Sequence, residues 1–526
     1  MLSQRKLSKI WLMPKLVSDR EIFMKTKVGN IIETLEISDE RKAGISQLES
    51  DMAYGDADLT WKTDCFLISW CSKELTAAGL LDHAVLAALG SDIQLRMPFL
   101  EQMLSHSDEY NSFLQKASPY MIFVGDMISY GVLEDFARKF GAAFERAGYR
   151  VIYQDIHEIQ RDYVQKFYGK SYRGIIMMPN TLISEKIGDK YLLDYVNAPV
   201  YMFAFDHPEF FYDALRNSPD KIQILTPDLY YAEYVERYLH RKALFFPPGG
   251  ERTEEIYRDF DEFKAEKLQE NTIDFSFLGE AGQGIDEVVS WFHENKKELY
   301  PFASCYADHL MDEREKPCDA AFRHALEEMS QIETPLSDDD FAALFSKWVG
   351  FEKNISHTFK KKIVQQIVTS GLNIDLYGNC WEKITASYID TDGKNRIHIS
   401  VPHDEAKNIY RRSWMSLNIM AWHKAGFTER IVEPQLHGSL VVADTTEYLK
   451  ENYTDGEDIV LFDISDEGIR ELPDRLKALL SDRDRILHMA WNGYQDALKH
   501  HTWDARVEQF LEKTVGISGN RKADTL

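Results

Sequence analysis

The sequence has 526 residues, of which 44% are hydrophobic and 28% charged, a globular composition too long for one core. Its formal net charge of −25 argues against a nucleic acid partner, because nucleic acids are normally bound by a basic face. The five cysteines include no CxxC pair, which fits a reducing compartment and argues against a disulfide framework or a zinc cluster. No apolar run approaches the roughly 20 residues of a membrane-spanning helix. We therefore expect a cytoplasmic protein with no transmembrane segment and no metal site.

Residues 1–117 form the first segment along the chain. Apolar residues recur there at helical spacing over 75–90 and 98–117, and strand-like runs are scarce. This pattern predicts a helical N-terminal extension, in which no residue indicates chemistry.

Residues 118–250 have a different sequence pattern, with short apolar runs separated by helix-length stretches. Near-continuous apolar strands that alternate with helices are typical of a parallel sheet covered on both faces. The segment therefore predicts a Rossmann-like domain, which ends at Pro247-Pro248-Gly249-Gly250. The runs are 121–124, 151–153, 174–178, 200–205, 222–225 and 243–246.

A second series of the same kind follows a charged linker, residues 251–271. Residues 272–490 then predict another Rossmann-like domain, interrupted by a helical insertion over 285–371. The fold class is thus α/β, with two doubly wound domains, a helical N-terminal extension and an active site in the cleft between the domains. The second series of runs is 275–278, 374–377, 397–401, 415–419, 440–443 and 459–462.

Ligands of open parallel sheets bind at the carboxyl ends of strands, so the strand ends hold the candidate site residues. After the first strand, Gly125–Gly131 is a glycine-rich turn, which either approaches a phosphate or only starts the next helix. Asp206 and His207 follow a later strand of the same domain. Either they supply a general base, since imidazole titrates near neutral pH, or one of them caps the following helix.

In the second domain, a strand ends in Gly378-Asn379-Cys380-Trp381. Backbone amides there can face a diphosphate, and Trp381 can lie beside a nucleobase or belong to the core.

The most informative segment runs from Asn418 to Asp444. A strand reaches a loop containing Gly426 and Phe427, and a helix then begins near Thr428, which can cap it, and ends at Gly438. The free amides of the helix N-terminus favour an anion, and an arginine adds bidentate geometry for phosphate. Two glutamates four residues apart share a face, either to accept ligand hydroxyls or as part of a solvated helix surface. The predicted binding residues of this segment are Asn418, Gly426, Phe427, Thr428, Glu429, Arg430 and Glu433.

Two acidic runs are not interpreted as metal sites. Asp390-Thr391-Asp392-Gly393 is typical of a turn, and Asp338-Asp339-Asp340 after Ser337 is typical of the first turn of a helix.

The stretch from His403 to Asp444 resembles the C-terminal domain of group 1 glycosyltransferases with the two-domain GT-B fold, in particular the branch associated with spore maturation and bacterial surface or protein glycosylation. The similarity is good over residues 272–510, weaker over 118–250 and absent before 118. Two features depart from the family pattern: Gln435 and His437 replace small residues, and no arginine follows Gly279. The matching residues are Tyr410, Ser413, Leu417-Asn418, Gly426, Arg430, Glu433, Gly438, Asp444, the 452–460 strand, Phe275–Gly279 and His501–Arg506.

This resemblance implies a glycosyltransferase that needs no metal and has no tightly bound cofactor. The co-substrate would be a nucleoside diphosphate sugar, with UDP as the expected nucleotide, and the acceptor a protein or a glycan. Glu433 would hold the ribose hydroxyls, while Arg430 and its loop approach the diphosphate. Residues 491–526 would contain a helix that crosses back to the first domain, and a homo-oligomer is compatible with the family.

Two alternatives remain open at this stage. One is a sugar-nucleotide epimerase of the same fold, which would act on the donor alone. The other is a catalytically silent scaffold that binds nucleotide sugars and uses its N-terminal helices for docking.

Overall fold

The computed structural model describes residues 118–125, 131–157, 167, 170–178, 182–187, 189–251, 257–329, 336–381 and 396–515. The predicted N-terminal extension lies outside these residues, as do residues 126–130 and the turn at 390–393. The chain forms two compact units, one of Met1–Met121, Arg150–Ile176 and Leu182–Val200, the other of Ile122–Tyr149, Met177–Thr181 and Tyr201–Leu526.

The first sheet has six strands in the order β2-β1-β3-β6-β7-β8, and a two-stranded hairpin, β4-β5, stands apart from it. The strands are β1 (Tyr120–Val124), β2 (Val151–Asp155), β3 (Gly174–Met177), β4 (Lys186–Ile187), β5 (Lys190–Tyr191), β6 (Val200–Phe203), β7 (Ile222–Thr226) and β8 (Ala243–Phe245). The helices are α1 (Val132–Arg146), α2 (Tyr212–Arg216) and α3 (Leu229–Tyr238), with 3-10 turns at Leu192–Tyr195 and Pro208–Phe211.

The second sheet also has six strands, in the order β11-β10-β9-β12-β13-β14, and all of its pairs are parallel. The central strand β9 pairs with both neighbours, so that Phe277 lies opposite Leu376 on one side and Leu417 on the other. The strands are β9 (Ile273–Leu278), β10 (Asp375–Tyr377), β11 (Arg396–His398), β12 (Ser413–Asn418), β13 (Leu440–Asp444) and β14 (Val460–Phe462).

The same part of the chain also contains helices, several of which lie between β9 and β10 in sequence. Before β9 lies α4 (Phe260–Glu270). The interval contains α5 (Ile285–Asn295), α6 (Tyr300–Asp312), α7 (Cys318–Met329), α8 (Asp338–Phe345) and α9 (Lys353–Thr369), with a 3-10 turn at Ser346–Trp348. After β11 come α10 (His403–Arg411), α11 (Glu429–Leu436), α12 (Glu447–Asn452), α13 (Asp466–Leu480), α14 (Arg483–His500) and α15 (Trp503–Val515).

The predicted α/β class with two parallel sheets is confirmed, and each of the twelve predicted runs overlaps a strand. The hairpin β4-β5 was not predicted, because strands of two residues leave no apolar run to detect. Ser337 accepts a hydrogen bond from the Asp340 amide and caps α8, which confirms the interpretation of the Asp338–Asp340 run as a helix start.

The C-terminal helix α15 packs against α1. The Phe140 ring lies 5.5 Å from Trp503 and 5.8 Å from Phe510, and Arg146 pairs with Asp504 at 2.7 Å. Burial of aromatic side chains on both helices thus fixes the end of the described chain to the first helix. Among the described residues, no helix has the length and apolar character that crossing a membrane requires.

Candidate donor-binding site

The carboxyl ends of β9, β10 and β12 meet at one edge of the second sheet, because these strands are parallel neighbours. The loops that follow them are 279–284, 378–381 and 419–428. Helix α11 begins directly after the last of these loops, at Glu429 as predicted, and reaches its left-handed C-terminal glycine at Gly438, where φ is +72°. This edge is where parallel sheets bind their ligands.

Two buried carboxylates hold the loop between β12 and α11. Asp444, at the end of β13, accepts hydrogen bonds from the amides of Met420 and Ala421, both at 2.7 Å. Asp228, which follows β7, accepts from the amides of Lys424 and Ala425 at 2.8 and 2.9 Å. These four amides are therefore satisfied by protein groups, and the loop has a fixed shape before any ligand arrives.

Gly426 has a packing role in this loop. A β-carbon at this position would lie 2.0 Å from the Pro227 carbonyl oxygen and 2.7 Å from the Asp228 α-carbon. The Phe427 amide donates to the same carbonyl at 3.3 Å, and the Gly426 carbonyl accepts from the Thr446 hydroxyl at 2.8 Å. A glycine is needed here because the backbone after β7 passes directly against it.

Thr428 occupies the N-cap position of α11, but its side chain makes no capping hydrogen bond, so the prediction of a threonine cap was wrong. Its hydroxyl is buried and has no hydrogen-bond partner among the described residues. The first amides of a helix have no partner within the helix, so those of Glu429 and Arg430 are suited to an external acceptor. The orphaned hydroxyl and the helix start therefore offer donors side by side.

Two cationic side chains lie at this edge. Lys360, on α9, is only 6% exposed, and none of the described carboxylates lies within ion-pair distance of its ammonium group. Burial, and next repulsion from Arg430, lowers the pKa of Lys360 to about 7. Arg430 lies at the start of α11 with its Nε 3.6 Å from Glu429, beyond hydrogen-bonding distance. Two mutually repelling cations, one of them buried with no described carboxylate at ion-pair distance, are suited to binding an anion.

Glu433 lies one helical turn after Glu429 and is 1% exposed. Its Oε1 accepts a hydrogen bond from the Glu251 amide at 3.1 Å. Its Oε2 has no hydrogen-bond partner among the described residues, and the nearest cationic candidate, His437 Nδ1, is 3.6 Å away. A buried carboxylate oxygen without a donor is costly, and a ligand hydroxyl would satisfy it.

Three predicted residues belong to the core, since Trp381 and Phe427 are fully buried and His207 is 3% exposed. The Trp381 indole donates to the Gly279 carbonyl at 2.7 Å and packs on Phe277, so the core interpretation of this residue is correct. His207 accepts from the Glu209 amide at 3.2 Å and so caps the 3-10 turn. Burial lowers the pKa of His207 to about 3, which is unsuited to a general base.

The remaining predicted residues lie at strand ends with their own local contacts. Gly378 packs so closely on Gly279 that a β-carbon would come within 2.2 Å of its carbonyl oxygen. Asn379 donates to Glu280 at 3.0 Å. Asn418 is 2% exposed, and its side-chain amide nitrogen has no partner among the described residues. The Asp206 side chain, by contrast, is 50% exposed and pairs with Lys353 at 2.8 Å.

Lys360 was missed by the sequence analysis because it opens the run Lys360-Lys361-Lys362, which resembles a solvated helix face. The overlooked signal is the helical spacing between this lysine and the buried residues of α9. Lys360 lies four residues after Ser356 and three and four residues before Ile363 and Val364, all of which are buried. A lysine on the apolar face of a helix is rare unless it has a function or a partner.

The part of the chain that contains this site matches the model of a known protein family. Residues 358–512, which include Lys360, Arg430 and Glu433, match the family model described as glycosyl transferase-like. The predicted resemblance to glycosyltransferases is thereby confirmed, while the particular branch stays a prediction. Among curated proteins, none matches this sequence.

Solved structures of glycosyltransferases are similar in fold at low sequence identity. HepE from Anabaena, solved in complex with UDP and glucose, is 11% identical, with 76% of this chain and 100% of that one covered and a TM-score of 0.43. Sucrose-phosphate synthase from Thermosynechococcus elongatus has 11% identity, 76% and 98% coverage and the same TM-score of 0.43. A glycosyltransferase from Rickettsia africae has 9% identity, 77% and 99% coverage and a TM-score of 0.43.

Proposed function

We propose that this protein transfers a sugar from a nucleoside diphosphate sugar to an acceptor hydroxyl. The observation that carries the proposal is the buried Lys360 beside Arg430 at the ligand-binding edge of the second sheet, with none of the described carboxylates at ion-pair distance from its ammonium group. A diphosphate is the anion that such a pair suits, because its negative charges can engage both cations at once. The glycosyl transferase-like match over 358–512 supports the same assignment.

In the proposed complex, the diphosphate lies between Lys360 and Arg430, against the first amides of α11 and the Thr428 hydroxyl. Glu433 accepts a ribose hydroxyl through Oε2, the oxygen that lacks a donor. UDP is the first nucleotide to test, as the family resemblance implies. The acceptor is proposed to be a protein or a glycan on the same basis.

The chemical step breaks the bond between the anomeric carbon and the diphosphate oxygen, which keeps the electron pair. The acceptor oxygen bonds to the anomeric carbon and loses its proton. Lys360, Arg430 and the helix amides stabilise the charge that develops on the leaving diphosphate, so we propose that the transfer needs no metal ion. Asp206 is the proposed acceptor base, since its carboxylate is half exposed whereas His207 is buried and neutral.

The sharpest test compares two neighbouring lysines of α9. Lys360→Met removes the buried charge and keeps the chain volume, whereas Lys362→Met removes an exposed charge from the same helix. Calorimetry with UDP should show Lys360→Met binding about 10- to 100-fold more weakly, the worth of one charged hydrogen bond, and Lys362→Met binding like the wild type. Arg430→Ala and Glu433→Ala should also lose affinity while their circular dichroism spectra stay unchanged.

Transfer itself is measured with UDP-hexoses and candidate acceptors, with and without a chelator. Wild-type affinity in both Lys360→Met and Arg430→Ala would remove the donor site from this edge. Conversion of the donor to an epimer, or donor binding without transfer to any acceptor, would point instead to the two alternatives of the same fold.

A further inference from the structure

Helices α6 and α7 pack on each other and bring together side chains that typically ligate metals. Cys305 and His309 are four residues apart on α6, and His324 and Glu328 are four apart on α7. Residues with this spacing lie on the same face of a helix. Glu313 follows α6 directly and adds a carboxylate to the group.

The ligand atoms of Cys305, His309 and Glu328 all lie within 4.8 Å of one another. His309 has a carboxylate at each of its ring nitrogens, since Nε2 is 3.0 Å from Glu328 and Nδ1 is 2.8 Å from Glu313. The ligands of a tetrahedral ion with bonds of about 2.0–2.3 Å also lie less than 4.8 Å from one another. Small side-chain rotations would therefore bring the three atoms into coordination.

The groups around His309 are arranged like those that orient a metal-binding histidine. A histidine that binds a metal through Nε2 usually donates its Nδ1 proton to a carboxylate. Glu313 is placed to accept that proton, and it is itself held by His324 at 2.7 Å and Lys316 at 3.0 Å. The charge of Glu313 is thus balanced by protein groups, while Cys305, His309 Nε2 and Glu328 face one another.

We propose that Cys305, His309 and Glu328 bind a divalent cation of the zinc class, with Glu313 orienting His309. Sulfur, imidazole nitrogen and carboxylate oxygen together are the donor set of zinc, and water completes the fourth position. On binding, the Cys305 thiol loses its proton to solvent and the sulfur bonds to the metal as a thiolate. No metal site was expected from the sequence because the chain contains no CxxC pair, whereas the spacing of these ligands is helical.

The position of these residues suggests what the ion would do. The turn between α6 and α7 contains Arg314, whose guanidinium donates to the Ile464 carbonyl at 2.8 Å and whose own carbonyl accepts from Lys424 at 2.5 Å. Lys424 belongs to the loop between β12 and α11. A cation that clips α6 to α7 would restrain this turn, so its role is to stabilise the fold and to steady that loop.

The test uses the untagged full-length protein after chelation and dialysis. Zinc titrated against it should bind at one equivalent and raise the thermal unfolding midpoint, and cobalt should give a thiolate-to-metal charge-transfer absorption band. Cys305→Ser should abolish the band, His309→Gln should abolish stoichiometric binding, and Glu313→Gln should weaken binding about 10- to 100-fold. Cys380→Ser removes an exposed thiol elsewhere and should leave the band intact.

A second group of possible metal ligands provides an alternative site, against which the proposed one can be tested. His309, Glu313 and His324 also lie within 4.8 Å of one another. If His324→Gln abolished binding while Cys305→Ser kept it, the metal would belong to that group and the proposal would be overturned. Binding without defined stoichiometry, or equal binding by all variants, would overturn it as well. Circular dichroism of each chelated variant checks that it folds. The metal-binding measurements need no nucleotide, so their outcome stays separate from that of the donor-site test.

Discussion

At the scale of single residues, two buried glutamates introduce a pH dependence into the fold. Glu209 is 2% exposed and Glu352 3%, and their two carboxyl groups interact with each other in the protein interior. Two buried carboxylates repel each other, so the pair is expected to share one proton in the folded protein. Burial, and next the charge of Glu352, raises the pKa of Glu209, and burial raises the pKa of Glu352.

Because the unfolded chain releases the shared proton at lower pH than the folded one, stability should fall as the pH rises above about 4.5. The free energy of unfolding should fall by up to about 1.4 kcal/mol per pH unit for one retained proton. Glu352→Gln, whose amide keeps a hydrogen-bond donor, should flatten the decline in the unfolding midpoint between pH 5 and 8. Glu451→Gln, on an exposed surface, is the control, and an unchanged decline in Glu352→Gln would contradict the shared proton.

At the scale of elements, the loop between β12 and α11 depends on contacts with the segment after β7. Asp228 accepts from two of its amides, and Gly426 lies against Pro227. The shape of this loop is therefore set partly by residues about 200 positions earlier in the chain.

Gly426→Ala should push the loop between β12 and α11 away from the segment after β7. The clash with the Pro227 carbonyl should destabilise the protein by about 1–3 kcal/mol and also weaken UDP binding, because the start of α11 would move. Gly371→Ala is the matched control, since its β-carbon would meet nothing within 4 Å and only the left-handed φ of +83° is strained. Thermal unfolding and calorimetry measure both effects, and a Gly426→Ala protein with wild-type UDP affinity would show that the loop does not need this contact.

At the scale of the whole molecule, Arg506 joins the C-terminal helix to the segment that ends the first sheet. Its side chain is 1% exposed and donates to the Pro248 carbonyl at 3.2 Å and to His501 Nδ1 at 2.9 Å. Burial lowers the pKa of Arg506 to about 10. Beside it, the Trp503 amide donates to the Gly250 carbonyl and the Gly250 amide to the His501 carbonyl.

Arg506→Lys should destabilise the protein although it keeps the charge, because one ammonium cannot reproduce the forked contacts of a guanidinium. Each buried acceptor left without a donor costs about 1–3 kcal/mol, so the unfolding midpoint should drop by several degrees. Arg470→Lys, whose side chain is 67% exposed, should have no measurable effect. Equal midpoints for the two variants would show that the Arg506 contacts are dispensable.

The sequence alone determined the two strand series, the helix from Glu429 to Leu436 and the glycine that ends it. These features depend on local patterns: apolar runs, helical spacing and residues that permit a left-handed backbone. The same patterns identified Arg430 and Glu433 as candidates, since both lie at the start of a helix after a parallel strand.

Only the tertiary structure decided which strand-end side chains face a ligand and which fill the core. Trp381 and His207 are buried by segments distant in the chain, whereas Lys360 reaches the site from a helix that lacks any local signature of binding. Burial and charge pairing depend on neighbours that are far apart in sequence, and a local pattern contains no information about those neighbours. The place of Lys360 in the proposed donor site, and the proposed metal site, were therefore visible only once the helices were packed.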